Sequence, residues 1–175
     1  MGSVKATHYL SRKDISMTKK EKIKENKKLC EEMPFLIPRN RWTDKIDDDY
    51  DYSYTELDEE GWRELELEFF REITPLLKKA NYLDKYRIMD SKEKWGEWRL
   101  YDNGLPKEIY DEYNSILRKY EKLSQHTCMH CGDRNAKMTY CGWIFPCCKS
   151  CWEKNEYMNH IPYEEATRED ENDEE

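Results

Sequence analysis

Seven cysteines occur in this 175-residue chain, and four of them fall into two pairs with the spacing of metal knuckles. Cys128-Met129-His130-Cys131 and Cys148-Lys149-Ser150-Cys151 are each C-x2-C, with sixteen residues between them. A C-x2-C turn places two thiolates on one side of the backbone. Two such turns brought together complete an S4 tetrahedron, the geometry that suits Zn²⁺. The separation of the pairs is that of a zinc site, and Gly132 stands after the first pair, where the turn needs a permissive backbone. Four thiolates leave no open position for water or substrate, so a structural ion is expected rather than a catalytic one. Two alternatives in the ligand set stay open. His126 or His130 could replace a cysteine, and Cys147 is adjacent to Cys148, although only Cys148 keeps the two-residue gap to Cys151. Cys30 and Cys141 read as small buried thiols.

Other chemistry is not spelled out. The four histidines, His8, His126, His130 and His160, stand in no spacing that pairs one with a nucleophile or a general acid. A zinc-braced nuclease would need histidines on the stretch between its knuckles, and residues 132–147 contain none. Six glycines form neither a Walker nor a Rossmann pattern. Asp47, Asp49, Asp51, Ser53, Thr55 and Asp58 loosely follow a calcium loop, but Tyr52 stands where such a loop requires glycine and Asp58 where it requires glutamate. The chain therefore reads as a protein that is not an enzyme.

The net charge is −8, and its distribution says more than its total. Residues 1–30 hold nine Lys or Arg against three acids, residues 44–76 thirteen acids against three bases, and residues 153–175 ten acids against two bases. The stretch 77–152, which holds the knuckles, has fourteen bases and ten acids, a thin footprint for counterion release from nucleic acid. No specific duplex binding is expected of it. Cysteines in C-x2-C form without a signal peptide indicate a reducing compartment. No apolar run reaches membrane-spanning length. A soluble, cytoplasmic protein is expected.

The elements that must position the knuckles can be read in outline. Glu21 to Glu32 is a Lys-rich helix. Met33-Pro34-Phe35-Leu36-Ile37-Pro38 is a proline-bracketed apolar loop that should plug into the core. Asp44 to Glu60 is acidic, rich in tyrosine and without a period, hence an ordered loop. Trp62, Leu65, Phe69, Ile73, Leu76 and Leu77 recur at three and four, which predicts an amphipathic helix from about Glu59 to Ala80. Pro75 forecasts a kink or a break after Ile73. Residues 86–101 alternate large apolar with charged side chains about Trp95-Gly96, a β-hairpin. Pro106 should open a helix whose stripe is Ile109, Tyr110, Tyr113, Ile116, Leu117, Tyr120 and Leu123. The expected fold is α+β: helices packed on a small antiparallel hairpin or sheet, with a C-terminal zinc ribbon. The expected divisions are a flexible basic terminus at 1–20, an α+β domain at 21–125, a zinc ribbon at 126–155 and an acidic tail at 156–175.

The hairpin Lys92-Glu93-Lys94-Trp95-Gly96-Glu97-Trp98-Arg99-Leu100-Tyr101 is similar to the EKFG-LRFY hairpin of a family of small phage and prophage proteins. In that family a helix follows, then CxxCG, a Gly-Trp and a closing CxxC. Here Cys128 to Gly132, Gly142-Trp143 and Cys148 to Cys151 stand in that order. The resemblance spans about residues 30–152, with Gly61-Trp62 at the family's earlier helix start and Trp95 where the family has Phe. It implies a phage setting and a zinc ribbon, not a reaction. A small acidic phage-type protein without catalytic groups resembles anti-defence factors, including anti-CRISPR inhibitors of Cas9. On that reading Asp47, Asp48, Asp49, Tyr50, Asp51, Tyr52 and Tyr54 form the partner-binding segment. Their charge would steer encounter with a basic channel and their tyrosines would supply contact area. The alternative is a zinc-ribbon module that binds nucleic acid or regulates, with Arg134, Lys137 and Lys149 as its basic groups.

Overall fold

The computed structural model describes residues 18–40, 42–46 and 59–167. Among these described residues, five helices and two small antiparallel sheets make an α+β fold. The helices are α1 (Lys19–Glu32), α2 (Arg63–Lys79), α3 (Tyr110–Ser124), α4 (Lys149–Lys154) and α5 (Tyr163–Ala166). The strands are β1 (Ile88–Lys94), β2 (Glu97–Asp102), β3 (Lys137–Tyr140) and β4 (Ile144–Cys147). β1 pairs with β2 and β3 with β4, each pair a separate hairpin.

α1 begins two residues earlier than its apolar pattern indicates, because Thr18 and Glu21 form a capping box. The Thr18 hydroxyl accepts from the Glu21 amide while the Glu21 carboxylate accepts from the Thr18 amide. The proline-bracketed loop does plug the core: Met33, Phe35 and Leu36 are buried, the last two in a single 3-10 turn, Pro34–Leu36.

α2 carries the centre of the molecule. Leu65, Phe69, Ile73 and Leu77 are fully buried along one face. Phe69 meets Phe70, Trp98, Tyr113 and Tyr120 edge-on, with ring centroids 5.3–5.9 Å apart, the separation at which ring edges and faces attract. Tyr86 and Tyr113 are buried beside them and share a hydroxyl hydrogen bond of 2.5 Å. The break anticipated at Pro75 is absent, and α2 runs unbroken to Lys79. Pro75 and Arg71, whose carbonyl loses its i+4 donor, both lie on the exposed side of the helix, where water can replace the missing partner.

The β1–β2 hairpin turns through Trp95 and Gly96, both at positive φ (58° and 81°). That is the two-residue turn whose twist suits a hairpin. Trp98 and Leu100 face inward, and the Trp98 amide donates to the Ser124 hydroxyl at the end of α3, 2.9 Å away. The tip rests on the second hairpin, since a Cβ built on Gly96 would stand 2.2 Å from Met138 Cε. α3 is entered through a 3-10 turn, Lys107–Ile109, that follows Pro106. Its stripe differs from expectation at one residue: Tyr110 is 55% exposed. Tyr110 is the first residue of the helix, and the buried face is set by Ile109, Tyr113 and Tyr120.

Candidate metal centre

α3 delivers the chain to the first knuckle within four residues. Thr127 closes the helix end by donating its hydroxyl to the Leu123 carbonyl, 2.7 Å away. The turn of residues 128–132 is then tied on itself. The Gly132 amide donates to the Cys128 carbonyl and the Cys128 amide to the Asp133 carbonyl, both at 2.8 Å. Gly132 has φ +77°, as its place after the pair requires. β4 brings in the second pair. Its Pro146 carbonyl accepts from the Met129 amide at 3.1 Å, so the two turns are joined through backbone. Cys148 stands immediately before α4, and Cys151 and Trp152 both return their amides to its carbonyl, at 3.1 and 3.0 Å.

The sulfurs of Cys128, Cys131, Cys148 and Cys151 all lie within 4.8 Å of one another. Cys131 Sγ and Cys148 Sγ are 3.6 Å apart. Four thiolates at about 2.3 Å from a common ion would be separated by about 3.8 Å, so the cluster has the size of a metal tetrahedron. Cys128 and Cys148 are buried, Cys151 is half-buried and Cys131 is exposed, which leaves one edge of the cluster at the surface. The arrangement can hold a metal ion in a closed shell of sulfur.

Cys147, the adjacent alternative, is not one of the four grouped sulfurs. It is fully buried on β4, its thiol 3.4 Å from the Cys148 carbonyl and bonded also to the Cys128 sulfur. Hydrogen bonds from the Cys147 and Cys151 thiols hold Cys128 far below the usual thiol range. The same bonds push Cys147 and Cys151 up. Burial pushes Cys131 up to about 11. A metal would remove this competition for protons by taking all four ligands as thiolates. His130 packs edge-on to Phe145, with centroids 5.8 Å apart, and burial lowers its pKa. His126 is exposed. Neither histidine belongs to the four-sulfur group.

The knuckles share the molecule's core. Cys128, Met129, Phe145, Cys147, Cys148 and Trp152 belong to the same buried cluster as Trp62, Phe69 and Trp98. The strongest tie is at the start of α2. The Gly61 amide donates to the Met129 carbonyl at 2.8 Å, and Trp62 Nε1 donates to the Thr127 carbonyl at 2.9 Å. No spacing rule selects Gly61. In the sequence it is a glycine between an acidic run and the first apolar residue of a helix.

The remaining candidates are dispersed. Arg134 pairs with Glu68 of α2 and Lys149 with Glu153 and Glu164, so two of the three basic residues assigned to the knuckle region are engaged by carboxylates. Cys30 and Cys141 lie apart from the cluster, Cys30 buried with its thiol pushed up to about 11 by burial. Asp47, Asp48, Asp49, Tyr50, Asp51, Tyr52 and Tyr54 lie outside the described residues. Among the described residues no helix is long and apolar enough to cross a membrane. Compared with protein-family models, curated proteins and solved structures, the chain matches none.

Proposed function

We propose that the protein is a zinc-stapled binding protein that acts on a host protein partner without catalysing a reaction. The observation that carries the metal half is the four-sulfur cluster at Cys128, Cys131, Cys148 and Cys151. All-thiolate tetrahedra select Zn²⁺ or iron–sulfur chemistry over hard cations. A single site with two C-x2-C turns is the pattern of a structural zinc. The ion would hold the two turns together and so fix the start of α2 against them.

The partner half rests on how charge is partitioned. Residues 47–58 hold six acids and no base, and residues 168–175 six acids and one base, so these two stretches carry −11 and the rest of the chain is slightly positive. Clustered carboxylates beside tyrosines suit a basic protein surface, with charge governing the encounter and aromatic area the lifetime. In its narrowest form the reading is a phage-type anti-CRISPR inhibitor. Its partner would be Cas9 or another guided defence nuclease, which carries its heteroduplex in a positive channel.

The test is a pull-down of the tagged, metal-loaded protein from a host lysate, with mass spectrometry of what co-purifies. It is paired with DNA cleavage by guide-loaded Cas9 in the presence of excess protein. Capture of a nuclease subunit together with lost cleavage supports the narrow form. Capture of some other basic protein supports the broad form alone, and recovery of no protein partner removes both.

A further inference from the structure

Arg39, Asn40 and residues 42–46 are tied into a loop by their own hydrogen bonds. Arg39 and Ile46 pair as an isolated antiparallel bridge. The Asn40 amide donates to the Lys45 carbonyl and the Asp44 amide to the Asn40 carbonyl, both at 2.8 Å. The Asn40 side-chain oxygen accepts from the amides of Trp42 and Thr43, each at 3.0 Å. Trp42 is thereby set on a tied loop with 89% of its surface exposed. An indole so placed contributes nothing to the core and is available to a ligand.

Beside this loop is a cleft of about 210 Å³. Its floor is apolar, formed by Phe35, Ile37, Ile88 and Met89, and its rim carries Arg39 and Arg87. Both guanidinium groups approach Asp44, a residue at φ +52°. Arg39 Nη1 donates to the Asp44 carbonyl at 2.9 Å and lies 3.5 Å from its carboxylate, while Arg87 Nε is 3.8 Å from it. Arg87 Nη1 is occupied by the carbonyls of Asp84 and Tyr86. The Nη2 group of each arginine donates to no protein group among the described residues. Both side chains are largely withdrawn from water (23% and 27% exposed), and two cations face a single carboxylate that is itself 68% exposed. An excess guanidinium charge with free planar donors selects phosphate or carboxylate. An apolar floor, and an uncovered indole on the loop whose Asn40 and Asp44 line the cleft, select a planar ring.

We propose that this cleft binds a nucleotide, with its phosphate on the open edges of Arg39 and Arg87 and its base against Trp42. The chemistry is shared by a free nucleotide and by one unit of a single strand. A duplex keeps its bases stacked internally and does not offer them. The proposal is independent of the acidic segment and of the protein partner proposed above.

The test uses the full chain with its metal. A labelled ten-nucleotide oligo(dT) is titrated by anisotropy, and thymidine monophosphate by quenching of tryptophan fluorescence. Saturable binding that quenches the fluorescence and weakens with salt is expected. Trp42→Ala should weaken it about tenfold or more, and Trp42→Phe should restore much of the loss. Arg39→Gln should lower the slope of log affinity against log salt by about one. Trp42 is exposed, so its removal should leave the thermal midpoint and the metal content unchanged. Response of both probes assigns the cleft to nucleotides generally, and response of the oligonucleotide alone assigns it to a strand. Either outcome upholds the site. Binding of neither probe, or binding indifferent to both Trp42→Ala and Arg39→Gln, overturns the proposal. So does capture of an acidic, tyrosine-containing peptide in place of both probes.

Discussion

Gly61 and Gly132 stand where the approach to α2 meets the first knuckle, and neither has room for a side chain. A Cβ on Gly132 would stand 2.9 Å from the Gly61 carbonyl oxygen, and one on Gly61 would stand 2.1 Å from the carbonyl oxygen of Cys128. These are contacts to backbone, which cannot swing aside as a flexible side chain would. The first knuckle and the start of α2 are therefore one construction. What holds the cysteines also holds the helix that centres the core.

Gly61→Ala should accordingly act at a distance from its own helix. To admit the methyl group, the 128–129 backbone must move, and the ligand Cys128 with it. The expected cost is about 3 kcal/mol or more of stability, at the upper end for overpacking, together with weaker metal retention. Urea denaturation and competition with a chromogenic chelator measure the two effects. Gly104→Ala is the control. Gly104 has φ +91° but nothing within 4 Å, so it should lose only about 1–2 kcal/mol of backbone strain and keep its metal. A Gly61→Ala protein that holds metal like the parent would show that the contact is not transmitted.

The same joint alters what metal removal should do. From the sequence alone the ribbon looks like an appendage, so a cysteine variant would unfold only the C-terminal segment. With Trp62 Nε1 bonded to the Thr127 carbonyl and Phe145 and Trp152 in the common core, one cooperative unfolding transition is expected instead, shifted down as metal is withdrawn. Cys128→Ser and Cys148→Ser should each abolish stoichiometric zinc by elemental analysis. Cys141→Ser should retain it, since Cys141 is outside the four-sulfur group. Loss of zinc from Cys141→Ser as complete as from Cys148→Ser would refute this ligand set.

Tyr86 and Tyr113 give a separate test of the core. Burial, as the first cause, pushes both phenols well above their usual pKa, so both remain neutral and their shared hydrogen bond persists. Tyr113→Phe strands a buried hydroxyl on Tyr86 and should cost about 1–3 kcal/mol. The double replacement by Phe removes both polar groups, so it should cost clearly less than the sum of the singles. Additive losses in a double-mutant cycle would mean that the two hydroxyls do not depend on each other.

Glu72 ties α2 to α3. Its carboxylate accepts from Lys119 and from the Tyr120 hydroxyl, the latter at 2.8 Å, and the Lys119 hydrogen bond is the main cause that lowers its pKa below 4.5. A carboxylate depressed in the folded state binds fewer protons there than in the unfolded chain. Its contribution is therefore fully present above about pH 4.5 and disappears as the pH falls through its folded value. Glu72→Gln should lower the urea midpoint at pH 7, and its gap to the parent should be narrower at pH 3. An equal gap at both pH values would place its role in packing rather than in charge.

How much of this was legible follows from the range of each signal. The C-x2-C pairs, the Trp95-Gly96 turn and the α2 stripe are local patterns, and the structure places each where its period or spacing directs. Pro75 misled because a proline's effect depends on which side of the helix it occupies, and it stands between the stripe positions Ile73 and Leu76. Tyr110 misled for the opposite reason, fitting the period but standing at the helix start beside Ile109, which takes the buried place and leaves Tyr110 outside. The contact of Gly61 with the first knuckle and the approach of Arg87 to Asp44 were invisible because each joins segments far apart in the chain. No window of sequence contains both partners.

The remaining prediction concerns the acidic segment and is the one that decides function. If Asp47, Asp48, Asp49 and Asp51 steer the protein to a basic surface, changing all four to Lys replaces four negative charges by four positive ones. Association should then slow by at least tenfold while dissociation changes less, because long-range charge acts on encounter. Raising ionic strength should slow association of the parent in the same direction, through a Debye length of about 8 Å at 0.15 M. Tyr50, Tyr52 and Tyr54 should behave oppositely. Their replacement by Ser should leave the association rate nearly unchanged and raise the dissociation rate, since buried aromatic contact sets lifetime. Surface plasmon resonance on the captured partner separates the two rates. With Cas9 as the immobilised partner, absence of any complex across several orthologues removes the Cas9 form. The same rate split on another captured protein would keep the broader reading. Charge reversal that leaves association untouched on every captured partner would show that the acids serve only to keep the chain in solution.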